Sequence, residues 1–313
     1  MMDVVFCGTP HFAVPTLQRL VRSGFRIKLV VTQPDRPSGR GMEFAASPVK
    51  QEALTLSLPL TQPDRIKNNE QFRAQIESIQ PQAIIVVGYG RIIPQWMLDL
   101  PALGNLNLHA SLLPKYRGAA PIQWAIASGE SVTGVTTMRI DAGLDTGDIL
   151  EQKEEPIRDD DTALTLAPRL AHTGGELIIT SLAGLAKGTL TPRPQDNAQA
   201  TLAPILTKED GLIDFSRTAK ETWNRLRGFQ PWPGAFTRFR GKLLHMHQAV
   251  PAPEVAVVAA GHFAIEGERL LLGFAHGTAL EVLELQMEGK KRMTARDFIN
   301  GYRPKNEEPV GIT

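Results

Sequence analysis

The chain has 313 residues, 42% of them hydrophobic and 21% charged, which is the balance of an ordinary globular protein with room for two domains. Its net charge of only +1 gives no whole-chain sign of a polyanionic partner, and no stretch approaches the roughly 20 apolar residues of a membrane span. The single cysteine, Cys7, excludes an internal disulfide and a cysteine-based metal site, and without a signal peptide we expect a cytoplasmic protein.

The first half of the chain alternates strand-like and helix-like segments. Short apolar runs predict strands at 4–7, 27–31, 83–87, 104–108 and 132–140. Amphipathic stretches predict helices at 13–21, 71–79 and 121–127, while the glycine- and proline-rich segment 33–48 is too irregular for either period. This order favours an α/β fold with a mostly parallel sheet, in which ligands gather at the carboxyl ends of the strands.

The pattern changes in the second half of the chain. A long helix is predicted at 162–186 and is followed by a run of linker composition at 191–197. Beyond Lys208, a helical piece precedes closely spaced apolar runs with glycine turns, which predict a small β-barrel or sandwich. These runs lie at 235–239, 243–250, 255–258, 269–274 and 280–285. The predicted domains are therefore 1–189 and 208–313, joined by a linker at 190–207.

Basic residues cluster in the second domain. Between Arg217 and Lys242 there are seven Lys or Arg against one acid, and between Lys290 and Lys305 there are six against one. Such clusters on a nearly neutral chain indicate a local surface for a polyanion. Clustering alone fits a solvated face of mixed charge equally well.

An Asn-x-His pair lies at the end of a predicted strand. Asn107 and His109 are two residues apart, so both side chains leave the strand on the same face. An amide and an imidazole placed there can donate hydrogen bonds to one developing oxyanion, as acyl transfer requires. Taken alone, such a pair is more often two satisfied polar groups at a strand end.

An acidic loop at 141–148 follows the strand 132–140 and contains two glycines among three aspartates. A carboxylate brought near His109 would favour its imidazolium form and could relay a proton from an attacking amine. The loop is also compatible with a turn whose aspartates bond their own backbone. A calcium loop is a third reading, but the ligand spacing and terminal glutamate of an EF-hand are missing.

The segment 32–41 is basic, glycine-rich and longer than a simple connection requires, which is typical of a functional loop. Its two arginines, Arg36 and Arg40, suit contacts with nucleic-acid phosphates, and the alternative is a solvent-exposed linker. No dinucleotide-binding, Walker or Gly-x-Ser-x-Gly sequence is present. His245 and His247 have no third metal ligand in view, so a structural role is favoured for them.

Taken together, these stretches resemble the methionyl-tRNA formyltransferase family. The resemblance rests on Asn-x-His-x-Ser-Leu-Leu-Pro at 107–114 and Leu-Asp-x-Gly at 144–147. It extends to the segments 6–12, 32–41, 115–124 and 229–235, the last of which contains Pro-Trp-Pro. The match spans nearly the whole chain and is weakest from 251 to about 280.

The resemblance implies a Rossmann-like catalytic domain, a linker and a C-terminal barrel of OB-like topology. The implied reaction moves a formyl group from 10-formyltetrahydrofolate to the α-amino group of initiator methionyl-tRNA, and it requires no metal. In this scheme Asn107 and His109 stabilise the tetrahedral oxyanion, while Asp145 holds His109 or takes the ammonium proton. The protein is expected to act as a monomer that binds no membrane.

The resemblance also implies the binding residues. The expected folate contacts are Ser111, Leu112, Leu113 and Pro114, with Tyr89, Gly90 and Ile92 lining the pterin pocket. The expected tRNA contacts are Arg36 and Arg40 in the loop and Arg225, Arg238, Lys242, Lys290, Lys291 and Arg292 in the second domain.

Three other functions have to be weighed against this one. A nucleotide-sugar formyltransferase shares the same core, but the basic loop and second-domain clusters argue against a small sugar acceptor. A glycinamide-ribonucleotide formyltransferase would end near the first domain, about 100 residues earlier. A non-catalytic RNA-binding module has no physical need for Asn107, His109 and Asp145 together.

Overall fold

The computed structural model describes residues 2–38, 43–252 and 257–311. The chain divides into two compact units. The first consists of Met1–Pro121, Val132–Pro156 and Ala167–Ala203, and the second of Ile122–Ser131, Ile157–Leu166 and Pro204–Thr313. Within the described ranges, no helix is long and apolar enough to cross a membrane. The domain boundaries at 189/190 and 207/208 stay a prediction.

A seven-stranded sheet forms the centre of the first unit. The strands of this unit are β1 (Asp3–Gly8), β2 (Arg26–Val31), β3 (Arg36–Ser38), β4 (Glu43–Ala45), β5 (Leu60–Thr61), β6 (Ala83–Val87), β7 (Asn105–His109), β8 (Val132–Arg139) and β9 (Ile149–Pro156). The order across the sheet is β5-β2-β1-β6-β7-β8-β9, and β3 pairs with β4 separately. The first five strands in this order run parallel, while β8 pairs antiparallel with β7 and β9 pairs antiparallel with β8. The mostly parallel sheet is thereby confirmed.

Eight α-helices are described: α1 (Val14–Arg22), α2 (Pro48–Thr55), α3 (Glu70–Ile79), α4 (Gln95–Leu98), α5 (Pro121–Ala127), α6 (Ala163–Lys187), α7 (Ala219–Gly228) and α8 (Ala295–Tyr302). Several begin at polar caps that satisfy their first free backbone N–H groups. The Ser47 hydroxyl accepts from the Lys50 N–H at α2, where Pro48 fits the first helical position. At α7, Thr218 and Glu221 form a reciprocal capping box.

The middle of the sheet explains why its strands were recognisable from sequence. Strand β6, Ala-Ile-Ile-Val-Val, is buried at every position, as a parallel strand covered on both faces should be. One core cluster of this unit contains Val5, Leu29, Phe72, Ile84, Val86 and Tyr89. The carboxyl ends of β6 and β7 therefore lie side by side at one edge of a rigid core.

Several parts of the first unit differ from the sequence prediction, which has no counterpart for helices α2 and α4 or for strand β5. Strand β9 was not predicted, because its sequence Ile-Leu-Glu-Gln-Lys-Glu-Glu-Pro loses the apolar alternation after two residues. It is the edge strand of the sheet, where charged side chains are expected. The segment 33–48, predicted as irregular, contains the short pair β3 and β4 on either side of residues outside the described ranges.

The second unit is a smaller antiparallel sheet, as predicted. Its strands are β10 (Ala235–Phe239), β11 (Lys242–Pro251), β12 (Phe263–Glu266), β13 (Arg269–Gly273), β14 (Ala279–Met287) and β15 (Met293–Thr294). The order is β10-β11-β14-β13-β12, with β15 on β14. Of the predicted strand 255–258, residues 255 and 256 lie outside the described ranges, and 257 and 258 belong to no strand.

The C-terminal segment joins the two edges of this sheet. The Phe263 N–H on β12 donates to the Glu308 carbonyl at 3.0 Å, and the Gly311 N–H donates to the Arg238 carbonyl on β10 at 2.8 Å. In the core inside, the rings of Phe239, Phe263 and Phe298 pack against one another, with centroids 5.4 to 5.9 Å apart. Such a closed arrangement leaves no long unpaired edge on β10 or β12.

Candidate active site

Strand β7 carries the Asn-x-His pair. Asn107 pairs with Val86 on β6 and with Met138 on β8, so its backbone is fixed on both sides. His109 is the last residue of the strand and is only 5% exposed, while Asn107 is half-buried. No hydrogen bond joins the Asn107 side chain to another residue that the structure describes. Its amide can therefore donate to a ligand without breaking a bond inside the protein.

His109 contacts the backbone on one side and a carboxylate on the other. Its Nε2 lies 2.9 Å from the Tyr116 carbonyl, and its Nδ1 lies 3.6 Å from Asp145 Oδ2. A carbonyl can only accept, so Nε2 is assigned as a donor, and Nδ1 faces the carboxylate, to which it can donate only when it also carries a proton. The same Oδ2 atom accepts from the Gly118 N–H at 2.9 Å. Both side chains of the pair are largely buried.

Two aspartates of the acidic loop have different contacts. Asp141 bonds its own loop, accepting from the Gly143 N–H at 3.0 Å and the Thr146 hydroxyl at 2.8 Å. Asp145 has a left-handed backbone, with φ at 51°, and its carboxylate reaches His109. The turn reading thus holds for Asp141 and the reading of a carboxylate beside His109 holds for Asp145. Within the described ranges, no group of three or more potential ligands could hold a metal ion.

A close backbone approach fixes the end of this loop. A Cβ atom on Gly147 would lie 1.9 Å from the Arg139 carbonyl oxygen, which belongs to backbone and cannot swing away. Only glycine fits here. The loop is consequently held tightly against the end of β8, two residues after Asp145.

The segment 111–114 follows β7 directly and is largely buried. The hydroxyl of Ser111 donates to the Lys115 carbonyl at 2.6 Å, and the Leu113–Pro114 peptide bond is cis. The Leu113 N–H donates to the Thr136 hydroxyl at 3.1 Å. Because the polar groups of Ser111 and Leu113 are already bonded within the protein, what the segment can offer a ligand is mainly shape and apolar surface.

The three residues predicted to line the pterin pocket differ in their surroundings. The Tyr89 ring lies in the core, where burial raises the pKa of its phenol, and its carbonyl accepts from Gln33 Nε2 at 2.7 Å. Gly90 has a left-handed backbone, with φ at 73°. Ile92 is 91% exposed, which is unusual for a large apolar side chain and indicates a surface that a ligand could cover.

Comparison with known proteins decides the family. The family model described as formyl transferase matches residues 2–182, and the model of the formyl transferase C-terminal domain matches 205–303. The methionyl-tRNA formyltransferase of Koribacter versatilis (strain Ellin345) is 66% identical over 310 residues, covering 99% of both chains. That of Acidobacterium capsulatum is 61% identical, covering 99% of this chain and all of the relative. The chain belongs to the methionyl-tRNA formyltransferase family.

The resemblance seen in the sequence is thereby confirmed along the whole chain. Among solved structures, WlaRD, a sugar 3N-formyl transferase, has a TM-score of 0.67 at 20% identity and covers 93% of this chain and 99% of its own. At that identity the likeness shows a shared fold and nothing of the acceptor. The methionyl-tRNA formyltransferase relatives, in contrast, align with 99% of this chain at 61 to 66% identity.

The basic residues expected to contact tRNA differ in their exposure to solvent and in the contacts that they already make. Arg36 lies on β3 and is exposed, whereas Arg40 lies outside the described residues. In the second unit five of these cations are exposed: Arg238, Lys242, Lys290, Lys291 and Arg292. Arg292 also contacts Glu284 at 3.2 Å, so part of its charge is already compensated.

Arg225 is the exception among these cations. Its guanidinium lies over the rings of Trp124 and Phe229, 5.6 and 4.7 Å from their centroids, and donates to the Asp210 carbonyl at 3.0 Å. Desolvation lowers the pKa of this half-buried group. With these contacts, Arg225 contributes to the packing of the second unit at least as much as it can contribute to binding a ligand.

Four residues around the His109–Asp145 pair were not identified from the sequence. Tyr116, Arg117 and Gly118 stand in the matched run 115–124, but only the folded backbone shows that Tyr116 and Gly118 contact the pair and that Arg117 lies between them. Gln195 lies in the proline-rich run that has linker composition, and its amide bonds the Asp145 loop. No local pattern could have revealed this contact, because it joins residues 50 positions apart.

Proposed function

We propose that this protein transfers the formyl group of 10-formyltetrahydrofolate to the α-amino group of initiator methionyl-tRNA, giving N-formylmethionyl-tRNA. The observation that carries the proposal is the full-length relationship: methionyl-tRNA formyltransferases align with 99% of this chain at 61 to 66% identity. The alignment includes the second unit, which a formyltransferase acting on a small ribonucleotide would not require. We place the protein in the cytoplasm as a monomer.

The reaction begins when the neutral amine attacks the formyl carbon and forms a tetrahedral oxyanion. We assign stabilisation of this oxyanion to the Asn107 amide, which has no bond to other described side chains, and to the Nδ1–H group of a doubly protonated His109, whose charge Asp145 would favour. Asp145 then accepts the ammonium proton, directly or through water, or holds His109 in its useful form. The C–N bond to folate breaks once the leaving nitrogen is protonated. The 3.6 Å separation of His109 Nδ1 and Asp145 Oδ2 supports this division of roles.

We place the folate co-substrate at the carboxyl ends of β6 and β7. Parallel strands present ligands at this edge, and both Ile92 and the segment 111–114 follow such strands. The exposed Ile92 would supply apolar surface to the pterin, whereas Tyr89 would act through its backbone because its ring is buried. Gly90 would allow the close approach that a side chain prevents.

We assign the tRNA to the basic loop and to cations of the second unit. Arg36 and Arg40 would contact phosphates of the acceptor arm, and the exposed lysines and arginines of the second unit would contact the backbone further along. Such contacts make affinity fall with salt concentration. Arg40→Ala should weaken tRNA use far more than folate binding, and an equal loss of both would remove the loop from this role.

The acceptor can be tested directly. The protein is incubated with 10-formyltetrahydrofolate and either initiator methionyl-tRNA or a nucleotide-linked amino sugar, the acceptor class of the sugar formyltransferases that share the fold. We expect N-formylmethionine, released from the tRNA and identified by mass spectrometry, in the first reaction only. Turnover on the amino sugar without turnover on the tRNA would overturn the proposal.

A further inference from the structure

The proline-rich segment after α6 is bonded to the candidate active site at several points. Gln195 Nε2 donates to the Asp145 carbonyl at 2.9 Å and to the Gly147 carbonyl at 2.7 Å. On the other side of the same amide, Gln195 Oε1 accepts from Arg117 Nη2 at 2.7 Å and Nε at 3.1 Å. One amide thus connects a buried arginine with the loop that carries Asp145.

The orientation of this amide is determined by its partners. The two carbonyl oxygens can only accept and the guanidinium can only donate, so the NH₂ group must face the loop and the oxygen must face Arg117. A glutamate could keep the contact with Arg117 but could not donate to the carbonyls. Among side chains of this length, only a glutamine satisfies both sides.

The loop needs such a support because its conformation is unfavourable on its own. Asp145 is a non-glycine residue with φ at 51°, in a region that costs about 1 kcal/mol or more and persists only where the surroundings hold it. Gln195 bonds the carbonyl of that same residue. The backbone dihedral that directs the Asp145 carboxylate towards His109 is thus fixed by a side chain 50 residues away.

The opposite side of the His109–Asp145 pair depends on the same segment. Tyr116 and Gly118, which contact His109 and Asp145, flank Arg117 in the chain. The Arg117 N–H donates to the Thr201 carbonyl at 2.9 Å, and the Ala203 N–H donates to the Arg117 carbonyl at 2.7 Å. The segment 195–203 therefore holds both pieces of backbone between which the pair is positioned.

We propose that Gln195, held in place by Arg117, is a positioning residue for formyl transfer: its amide fixes the Asp145 loop so that the carboxylate stays in reach of His109. This inference rests on the proposed function, because it concerns the rate of that reaction. It assigns a role in catalysis to a segment whose sequence indicates only a linker. Neither Gln195 nor Arg117 is required to touch a substrate.

The experiment uses the full-length protein and three variants. Gln195→Glu keeps an acceptor for Arg117 and removes both donors to the loop, while Gln195→Met keeps the length of the side chain and removes all four contacts. Asn197→Ala is the matched control, since Asn197 Oδ1 accepts from Arg117 Nη2 at 2.8 Å without a hydrogen bond to the Asp145 loop. Steady-state kcat and KM are measured for both substrates, with thermal melting as the test of folding.

We expect kcat of both Gln195 variants to fall about 10- to 100-fold, since a displaced catalytic group costs rate rather than substrate affinity. The KM values should stay within about twofold, and Asn197→Ala should keep wild-type kcat. A folded Gln195 variant with kcat within twofold of the wild type would overturn the inference, as would an equal loss of kcat in the control. Should one Gln195 variant not fold, the other decides. Absence of turnover by the wild type would instead refute the proposed function.

Discussion

Replacing Asp145 with Asn separates the charge of this side chain from its shape. The new amide oxygen, in the place of Oδ2, can still accept from the Gly118 N–H, and it keeps the position 3.6 Å from His109 Nδ1 without a negative charge. The local structure should therefore survive. What is lost is the group that can take a proton and that stabilises a charged imidazole.

The size of the effect follows from the distance. Two unit charges 3.6 Å apart attract by about 4 to 5 kcal/mol at an effective dielectric constant of about 20. Desolvation of the two largely buried groups offsets part of this attraction. We therefore expect the rate of the chemical step in Asp145→Asn to fall by about 10²- to 10³-fold. The melting temperature should change by less than about 3 °C, because the hydrogen bond from the Gly118 N–H is kept.

The assay is single-turnover formylation of initiator methionyl-tRNA by enzyme in excess, which reports the chemical step without product release. Asp141→Asn serves as the control, because Asp141 belongs to the same loop but bonds Gly143 and Thr146. Its rate should fall less than about tenfold, since it supports only the loop backbone. A rate for Asp145→Asn within tenfold of the wild type, in a folded protein, would refute the role assigned to the carboxylate.

Three further predictions concern the loop, the second unit and the tRNA. Gly147→Ala places a Cβ atom 1.9 Å from the Arg139 carbonyl, so the loop must shift; kcat should fall at least about tenfold, and an unchanged kcat would show that the loop can relax. Arg240 holds the pKa of Glu308 below its ordinary value of 4.5, so this contribution to stability is complete above that value and is lost as the pH falls through the lowered pKa. Melting curves of Glu308→Gln should accordingly approach the wild type in acid, and a constant difference across pH would contradict this. Arg36→Ala should lower the salt dependence of tRNA binding by about one unit of slope without changing the KM for folate, and an unchanged slope would exclude a phosphate contact.

The strands around the candidate site were predictable because their sequences are locally distinctive. Strand β6 is apolar at every position, and the Asn-x-His pair of β7 follows the two-residue period of a strand. Strand β9 was missed because an edge strand tolerates charge and loses the apolar alternation. Local sequence patterns therefore predicted the strands that are buried in the core, but they did not predict the strand at the edge of the sheet.

The acidic loop shows a different limit. A rule based on composition cannot distinguish the three aspartates of this loop, and only the resemblance to the family selected Asp145. In the folded chain the backbone bonds of Asp141 and the left-handed φ of Asp145 separate them. The carboxylate and the carbonyl of Asp145 are bonded by Gly118 and Gln195, which lie 27 and 50 positions away. Such partners cannot be read from neighbouring residues.

The charge clusters of the second unit show a third limit. Counting charges found two basic runs, but it could not show which cations are already bonded. Arg225 is packed on two rings and Arg240 forms a bidentate pair with Glu308 at 2.7 and 2.9 Å. Arg238 and Lys242, close by in sequence, are exposed and form no ion pair with another residue that the structure describes. The structure therefore shows which residues of the two basic runs can bind a polyanion without first breaking an ion pair.

The most direct test of the account is the formylation rate of a variant that lacks all three proposed catalytic side chains. Asn107, His109 and Asp145 are replaced together by Ala, and transfer to initiator methionyl-tRNA is measured in a single turnover beside the wild type. We predict N-formylmethionyl-tRNA from the wild type and a rate at least about 10³-fold lower from the variant, with binding of the tRNA retained. A folded triple variant that formylates the tRNA within tenfold of the wild-type rate would contradict the account.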